Sequence, residues 1–153
     1  SEAWQFMLAG GSGFDHLDYS FSPEHEDGSF DYPDGQPGGG SRALREQLGF
    51  LRRFLEGFDL PRLRPDGGLL GDLPEGVVGR ALSDGSQAYA AYLEGSGPAN
   101  LTLALPEGRY RLEWFSPVTG EQIGRAIRLT SDGEASVISP GFEQDIVLRV
   151  RRF

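Results

Sequence analysis

The sequence predicts an α+β protein in which an antiparallel β-sandwich follows a short helical segment. Residues 77–153 contain short apolar stretches about 8–12 residues apart, separated by Gly-, Pro-, Asp- and Ser-containing turns, which is typical of a sandwich. Residues 41–58 instead carry apolar side chains at helical spacing. The 23 glycines and 10 prolines indicate many turns, and the 38% hydrophobic residues can still form a packed core.

The composition excludes several classes of function. A net charge of −9 argues against a nucleic-acid-binding protein, whose phosphate-binding surface must be basic. No apolar run approaches the roughly 20 residues that a membrane-spanning helix needs. The absence of Cys excludes disulfides, thiolate metal sites and thiol catalysis, although it does not fix the cellular compartment. All 14 basic residues are Arg, which excludes Schiff-base and P-loop lysine chemistry.

The negative charge is concentrated in residues 1–40, which hold eight acidic residues and no Arg. Such a segment is typical of a solvated loop. It also fits a site for a cation or a polyhydroxyl ligand, because carboxylates accept hydrogen bonds from sugar hydroxyls.

The first 40 residues predict little regular structure. Residues 3–9 have the character of the last turns of a helix, which the glycines at 10–13 end. Too few residues precede them for an independent helix, so we expect the chain to be processed or cut from a longer protein. Residues 14–21 alternate imperfectly and predict a short strand. Residues 22–40 predict a long loop, and loops of this length are usually functional or disordered.

The clearest predicted element is an amphipathic helix over Ala43–Phe58. Ser41 is a good N-cap, and Pro61 ends the helix near Asp59. The apolar stripe has spacings of 4, 3, 4 and 3 residues, and it consists of Leu44, Leu48, Leu51, Leu55 and Phe58. Residues 1–40 hardly supply an apolar surface for this stripe. We therefore expect the rest of a longer protein, or a second copy of the chain, to cover it.

After a Pro/Gly connector at 60–76, seven strands are predicted. Their expected bounds are Val77–Leu82, Ala88–Leu93, Leu101–Leu105, Tyr110–Phe115, Ala126–Leu129, Ala135–Ile138 and Ile146–Val150. Alternation places Trp114 on the core face of its strand. Phe115 then points the opposite way and is the better candidate for an exposed ring that binds sugar or collagen.

Several motifs carry a resemblance to a known family. They are Ala3–Phe14, which contains W-x-x-x-L-A-G-G-x-G-F, then Leu17–Phe21, His25–Gly28 and Pro37–Gly40, and in the second half Ala88–Leu93, Gly108–Tyr110 and Trp114–Gly120. In this order they resemble the C-terminal region of apiosidase-like glycoside hydrolases. There, the end of a (β/α)₈ barrel is followed by a β-sandwich often described as the collagen-binding domain of a collagenase.

The resemblance implies two domains. Residues 1–66 would be the final βα unit of a truncated barrel, made of a helix end, a strand, an acidic loop and the amphipathic helix. Residues 67–153 would be the C-terminal sandwich. The resemblance also implies that the first seven barrel strands are missing from this chain.

Glycosidases need a pair of carboxylates. In the resembled barrels the acid and the nucleophile come from earlier strands, so we predict no catalytic residues here. Loops at the C-terminal ends of barrel strands build the substrate site, and this implies substrate-binding candidates in the first domain. They are His16, Asp18, Tyr19, His25, Glu26 and Asp27. The alternative is that these side chains only form hydrogen bonds that fix the loop.

The residues of the first 41 positions offer two other kinds of site. Asp15, His16, Asp18, His25 and Asp27 are ligand types for Zn²⁺, Mn²⁺ or Ca²⁺, but their spacing matches no standard metal loop. We therefore predict neither a metal nor a cofactor. The glycines before Ser41 could present N–H groups to an anion. A flexible hinge is the favoured interpretation, because the neighbouring carboxylates would repel a phosphate.

The sequence therefore predicts part of a carbohydrate-active, glycoside-hydrolase-like protein that is inactive alone, with an accessory sandwich of structural or polysaccharide-binding role. The expected partners are a carbohydrate and either the rest of the parent barrel or a second copy, with no nucleic acid and no membrane. For such a protein we expect a secreted or periplasmic location. The alternatives are an autonomous collagen-binding-like protein module and a small hydrolase that uses Asp15, Asp18 or Glu26.

Overall fold

The computed structural model of the chain describes residues 2–33 and 39–153. The expected loop residues 34–38, including Pro37 and Gly38 of the hinge, lie outside the described residues. Within the described residues, α1 (Glu2–Leu8), α2 (Arg42–Glu56) and a 3₁₀ turn (Leu60–Arg62) precede the strands. The strands are β1 (Arg64–Pro65), β2 (Val78–Ser83), β3 (Ala88–Glu94), β4 (Asn100–Leu103), β5 (Gly108–Phe115), β6 (Gln122–Ser131), β7 (Ala135–Ile138) and β8 (Asp145–Arg152).

The strands form two antiparallel sheets. The larger sheet has the order β1-β2-β3-β8-β5-β6, and β4 pairs with β7 in the smaller one. The inner face of the larger sheet packs against the smaller sheet in a sandwich. This arrangement confirms the predicted α+β class with a predominantly antiparallel sheet. Among the described residues, no helix is long and apolar enough to cross a bilayer.

The core of the sandwich lies between the two sheets. Tyr110, Leu112 and Trp114 of β5 point into it and are almost wholly buried, as their alternation predicts. Leu148 of β8 pairs with Trp114 across the strands, and Leu103 of β4 comes from the opposite sheet. Burial of these side chains removes a large apolar area from water and is the main stabilising contribution here.

The outer face of the larger sheet carries a second apolar core beneath the two helices. Phe50 and Phe54 of α2 contact the Phe115 ring, with ring centroids 6.4 and 6.0 Å apart. Trp4 of α1 stacks on Tyr92 of β3 at 6.0 Å. The molecule therefore has three layers, with the larger sheet in the middle.

This packing corrects two predictions. The C-terminal part of the α2 stripe finds its partner within the chain, because the outer face of the larger sheet offers it an apolar surface. That surface consists of Leu82, Ala90, Tyr92 and Val147. Phe115 does point away from Trp114, but α2 covers it, so the prediction of an exposed ring was wrong.

The segment between the helices also differs from its prediction. Residues 14–21 do not form a strand, and the described backbone there contributes only a bridge between Asp18 and Gly39. The α2 helix begins as predicted, since the Ser41 hydroxyl accepts a hydrogen bond from the Leu44 N–H at 3.1 Å. The domain boundary between residues 66 and 67 stays a prediction, and β1 from before it pairs with β2 from after it.

Candidate functional site

The six predicted substrate-binding residues lie between α1 and α2, in a segment that little regular structure supports. The structure does not bring all six together. His16 lines a groove against the sandwich. Asp18 is tied to α2, His25 and Asp27 belong to a tight turn, and Tyr19 joins an aromatic cluster. Glu26 is exposed beside that turn.

Asp18 holds this segment against α2. Its carboxylate accepts hydrogen bonds from the Ser20 hydroxyl at 2.5 Å and from Arg45 Nη1 at 2.8 Å. Arg45 also donates to the Gly28 carbonyl at 3.1 Å. The hydrogen bond from Ser20, followed by that from Arg45, lowers the pKa of Asp18 to about 2. Asp18 is therefore committed to internal partners, which fits loop fixing better than ligand contact.

A turn at residues 22–29 fixes two more candidates. The His25 Nδ1 lies 2.9 Å from the Ser29 hydroxyl, and Asp27 accepts a hydrogen bond from the Ser29 N–H at 3.0 Å. Hydrogen bonds from Ser29, its side chain first, hold the pKa of Asp27 below its ordinary value. A bridge between Ser22 and His25 closes the turn. These two side chains shape the loop that carries Glu26.

Aromatic rings cluster beside this turn. Tyr19 stacks on Tyr32 with centroids 5.4 Å apart, Phe30 meets Tyr32 edge-on at 6.5 Å, and the His25 ring lies 5.6 Å from Phe30. Tyr19 and Phe30 are 44% and 38% exposed. Exposed, stacked rings of this kind offer an apolar face with polar edges, which suits the C–H face of a sugar ring.

An open groove of about 720 Å³ lies between the helices and one end of the sandwich. Its polar lining includes His16, Gln47 of α2, Glu94 at the end of β3 and Asp145 at the start of β8, with the edge of Trp4 as an apolar wall. These groups combine a ring, an amide and two carboxylates that can accept hydrogen bonds from hydroxyls.

Glu94 and Asp145 are fixed at the groove wall by one tyrosine. The Tyr92 hydroxyl donates toward Asp145 at 2.9 Å and lies 3.3 Å from a Glu94 oxygen. Glu94 also accepts a hydrogen bond from the Gln5 amide. Burial, together with the hydrogen bond to Asp145, raises the pKa of the Tyr92 phenol above its ordinary range, so it remains a donor. The two carboxylates are thereby held side by side in β-sheet register.

Sequence reasoning found only His16 among the main groove residues. Trp4, Gln47, Glu94 and Asp145 come from four segments that are distant in sequence, and no local motif joins them. The sequence signal for the two carboxylates was weak. Glu94 is the last residue of one apolar strand, and Asp145 is the first residue of another. The described residues contain no group of three or more His, Asp or Glu side chains that could hold a metal ion.

Comparison with protein-family models and with curated proteins finds no match. Several solved structures resemble the fold, and two of them are glycoside hydrolases. A protein described as a glycoside hydrolase is 15% identical, with a TM-score of 0.65, over 99% of this chain and 36% of its own. A glycoside hydrolase family 5 protein from Bacteroides vulgatus ATCC 8482 is 19% identical, with a TM-score of 0.53, over 69% of this chain and 23% of its own.

These likenesses are of fold. The first includes the two helices as well as the sandwich, because it spans almost all of this chain. The chain spans about a third or less of the length of either structure.

Proposed function

We propose that this chain is an accessory part of a glycoside-hydrolase-like, carbohydrate-active protein, with a structural or polysaccharide-binding role and no catalysis of its own. One observation carries the proposal: 99% of the chain shares its fold with 36% of a glycoside hydrolase. The closer relationship to apiosidase-like enzymes stays a prediction within this proposal. A secreted or periplasmic location would fit action on extracellular polysaccharide.

The groove is the proposed glycan-binding site. Its carboxylates, Glu94 and Asp145, can accept hydrogen bonds from sugar hydroxyls, while His16 and Gln47 can donate or accept. The Tyr92 hydroxyl keeps both carboxylates in place before a ligand arrives, and such preorganisation reduces the entropic cost of binding. The segment between α1 and α2 offers a second contact surface, formed by the exposed Tyr19 ring and the exposed Glu26.

The experiment is affinity electrophoresis through gels that contain neutral polysaccharides. We expect one or more of them to retard the wild-type chain, and the double variant His16→Ala/Gln47→Ala to lose that retardation. The control Gln87→Ala/Gln122→Ala removes two exposed amide side chains outside the groove and the aromatic cluster, and it should migrate as the wild type does. Tyr19→Ala reports separately on the aromatic cluster.

Three outcomes would contradict the proposal in different ways. Collagen binding without polysaccharide binding would favour the alternative of a protein-binding module. Hydrolysis of simple glycosides by the chain, lost in Asp18→Ala, would support an independent hydrolase. Equal loss of retardation in the two double variants would remove the groove from the proposal.

A further inference from the structure

The uncovered part of the outer sheet face is lined by arginines. Side chains on β5, β6 and β8 that alternate with buried core residues point to this face, beyond the area that α2 covers. We call it the arginine face, and it consists of Arg109, Arg111, Arg128, Arg149 and Arg151.

Three of these arginines stand in one row across neighbouring strands. Arg111 of β5 is the direct partner of Arg128 on β6 and of Arg151 on β8. Neighbouring strands lie about 4.8 Å apart, so the row presents positive charge at a short, regular interval. Like charges placed directly opposite each other destabilise a sheet, so the arrangement in a row does not by itself stabilise the fold.

Two arginines of this face form ion pairs with the same carboxylate. Glu113 accepts hydrogen bonds from Arg111 at 2.7 Å and from Arg149 at 2.9 and 3.0 Å. Burial would raise the pKa of Glu113, but these two arginines hold it below its ordinary value, so the carboxylate stays charged. One negative charge among five positive ones leaves the face strongly basic in a chain whose net charge is −9.

The other guanidinium groups are oriented by aromatic rings. Arg109 and Arg128 lie 5.3 and 5.5 Å from the Phe153 ring, which is 56% exposed. Arg151 lies over Phe58 at 5.3 Å and donates to the Gly57 carbonyl at the end of α2. Stacking leaves the edge of each planar guanidinium available as a hydrogen-bond donor.

We propose that the arginine face binds an acidic polysaccharide, with the carboxylates of successive uronic acid residues on the arginine row. Arginine binds carboxylates through paired, charge-assisted hydrogen bonds, and a flat face with regular charges suits an extended polymer with a regular carboxylate. The inference rests on the proposed glycan-binding function and adds a ligand class and a surface distinct from the groove and from the Tyr19 cluster. Duplex nucleic acid is a poorer ligand, because its roughly one charge per 1.7 Å of helix axis is denser than one carboxylate per sugar residue, and the acidic remainder of the chain repels it more strongly.

The experiment compares polygalacturonate with its methyl-esterified form, which has the same backbone without the charge. Affinity gels and calorimetry would use the whole chain, the variant Arg111→Gln/Arg128→Gln, and the control Arg42→Gln/Arg52→Gln. The control removes the same charge from two exposed helix arginines that pair with Glu46 and Glu56. Thermal unfolding would verify that each variant is folded.

We expect the wild-type chain to bind polygalacturonate and not the ester, and added salt to weaken the binding. The Arg111→Gln/Arg128→Gln variant should bind about tenfold more weakly or worse, because it loses two charge-assisted contacts. The control should bind as the wild type does. Equal binding of the ester, equal loss in the control, or tighter binding of duplex DNA would overturn the proposal.

Two further outcomes separate this inference from the proposed function. Binding of neutral polysaccharide with no binding of polygalacturonate would overturn the acidic ligand and leave the groove proposal standing, whereas no binding of any glycan would overturn both. A self-association of the wild-type chain that Arg111→Gln/Arg128→Gln abolishes, without polygalacturonate binding, would assign the arginine face to a second copy and overturn the proposal.

Discussion

The two faces of the larger sheet differ in how completely they are covered. The inner face is mainly apolar and packs against the smaller sheet. The outer face is apolar only beneath α1 and α2, and it changes to arginine where the helices end. Both faces belong to the same strands, so strand propensity cannot explain the difference. The difference instead follows the covering elements: side chains are apolar where the smaller sheet or a helix packs on them, and charged where neither does.

The largest expected effect is at the helix-covered half of the outer face. Phe54 is 3% exposed and packs between Trp4 and Phe115. Phe54→Ala should lower the free energy of unfolding by about 3 to 5 kcal/mol, measured by urea denaturation. A loss below about 1 kcal/mol would mean that α2 packs only loosely on the sheet, and it would restore the expectation that another protein part covers the helix.

A somewhat smaller effect is expected on the inner face. Leu148 of β8 is wholly buried between the sheets. Leu148→Ala should cost about 2 to 5 kcal/mol, with Val118→Ala, at a residue that is 52% exposed, as the control near zero. If Leu148→Ala unfolds the chain in one transition while Phe54→Ala produces two, the helical layer and the sandwich unfold separately.

The sandwich could be predicted from sequence because its signals are local. The strand from 110 to 115 alternates, and turns bound each strand, so the seven predicted strands appear within a few residues of their expected positions. The α2 helix was equally predictable from its stripe and from Ser41. These features depend on neighbours within one or two turns of chain.

The third layer could not be predicted in the same way. The run Ala88–Leu93 is apolar on both faces of β3, which is typical of a strand that is covered on both sides. The sequence does not show which element covers the second face of this strand, and α2 was therefore left without a partner. The packing of α2 on β3 joins residues that are distant in sequence, so no local pattern predicts it. The groove residues Trp4, Gln47, Glu94 and Asp145 were missed for the same reason, since only the fold joins them.

The stability of the protein should depend on pH through Asp18, which joins the segment between α1 and α2 to Arg45 of α2. The pKa of Asp18 is lowered from 3.8 to about 2 by Ser20 and Arg45. A carboxyl whose pKa is depressed in the folded state contributes stability above its unfolded value, and this contribution is lost as the pH falls toward the folded value. The free energy of unfolding should therefore fall between about pH 4 and about pH 2.

The variant Asp18→Asn isolates this contribution. Its stability should depend less steeply on pH over the same interval, while Asp15→Asn, at an exposed carboxyl, should keep the wild-type slope. Denaturation curves at several pH values in this range would measure both slopes. Identical slopes for Asp18→Asn and the wild type would show that Arg45 does not hold the segment in solution.

The smallest expected change in the free energy of unfolding is on the arginine face. Arg128 stands directly opposite Arg111, so its loss removes a like-charge repulsion as well as a contact with the Phe153 ring. The two terms oppose each other, and Arg128→Gln should change the free energy of unfolding by less than about 0.5 kcal/mol. At low salt, where repulsion is least screened, the change should move toward stabilisation. A loss above about 1 kcal/mol at any salt concentration would mean that the row contributes to folding and does not need a ligand to explain it.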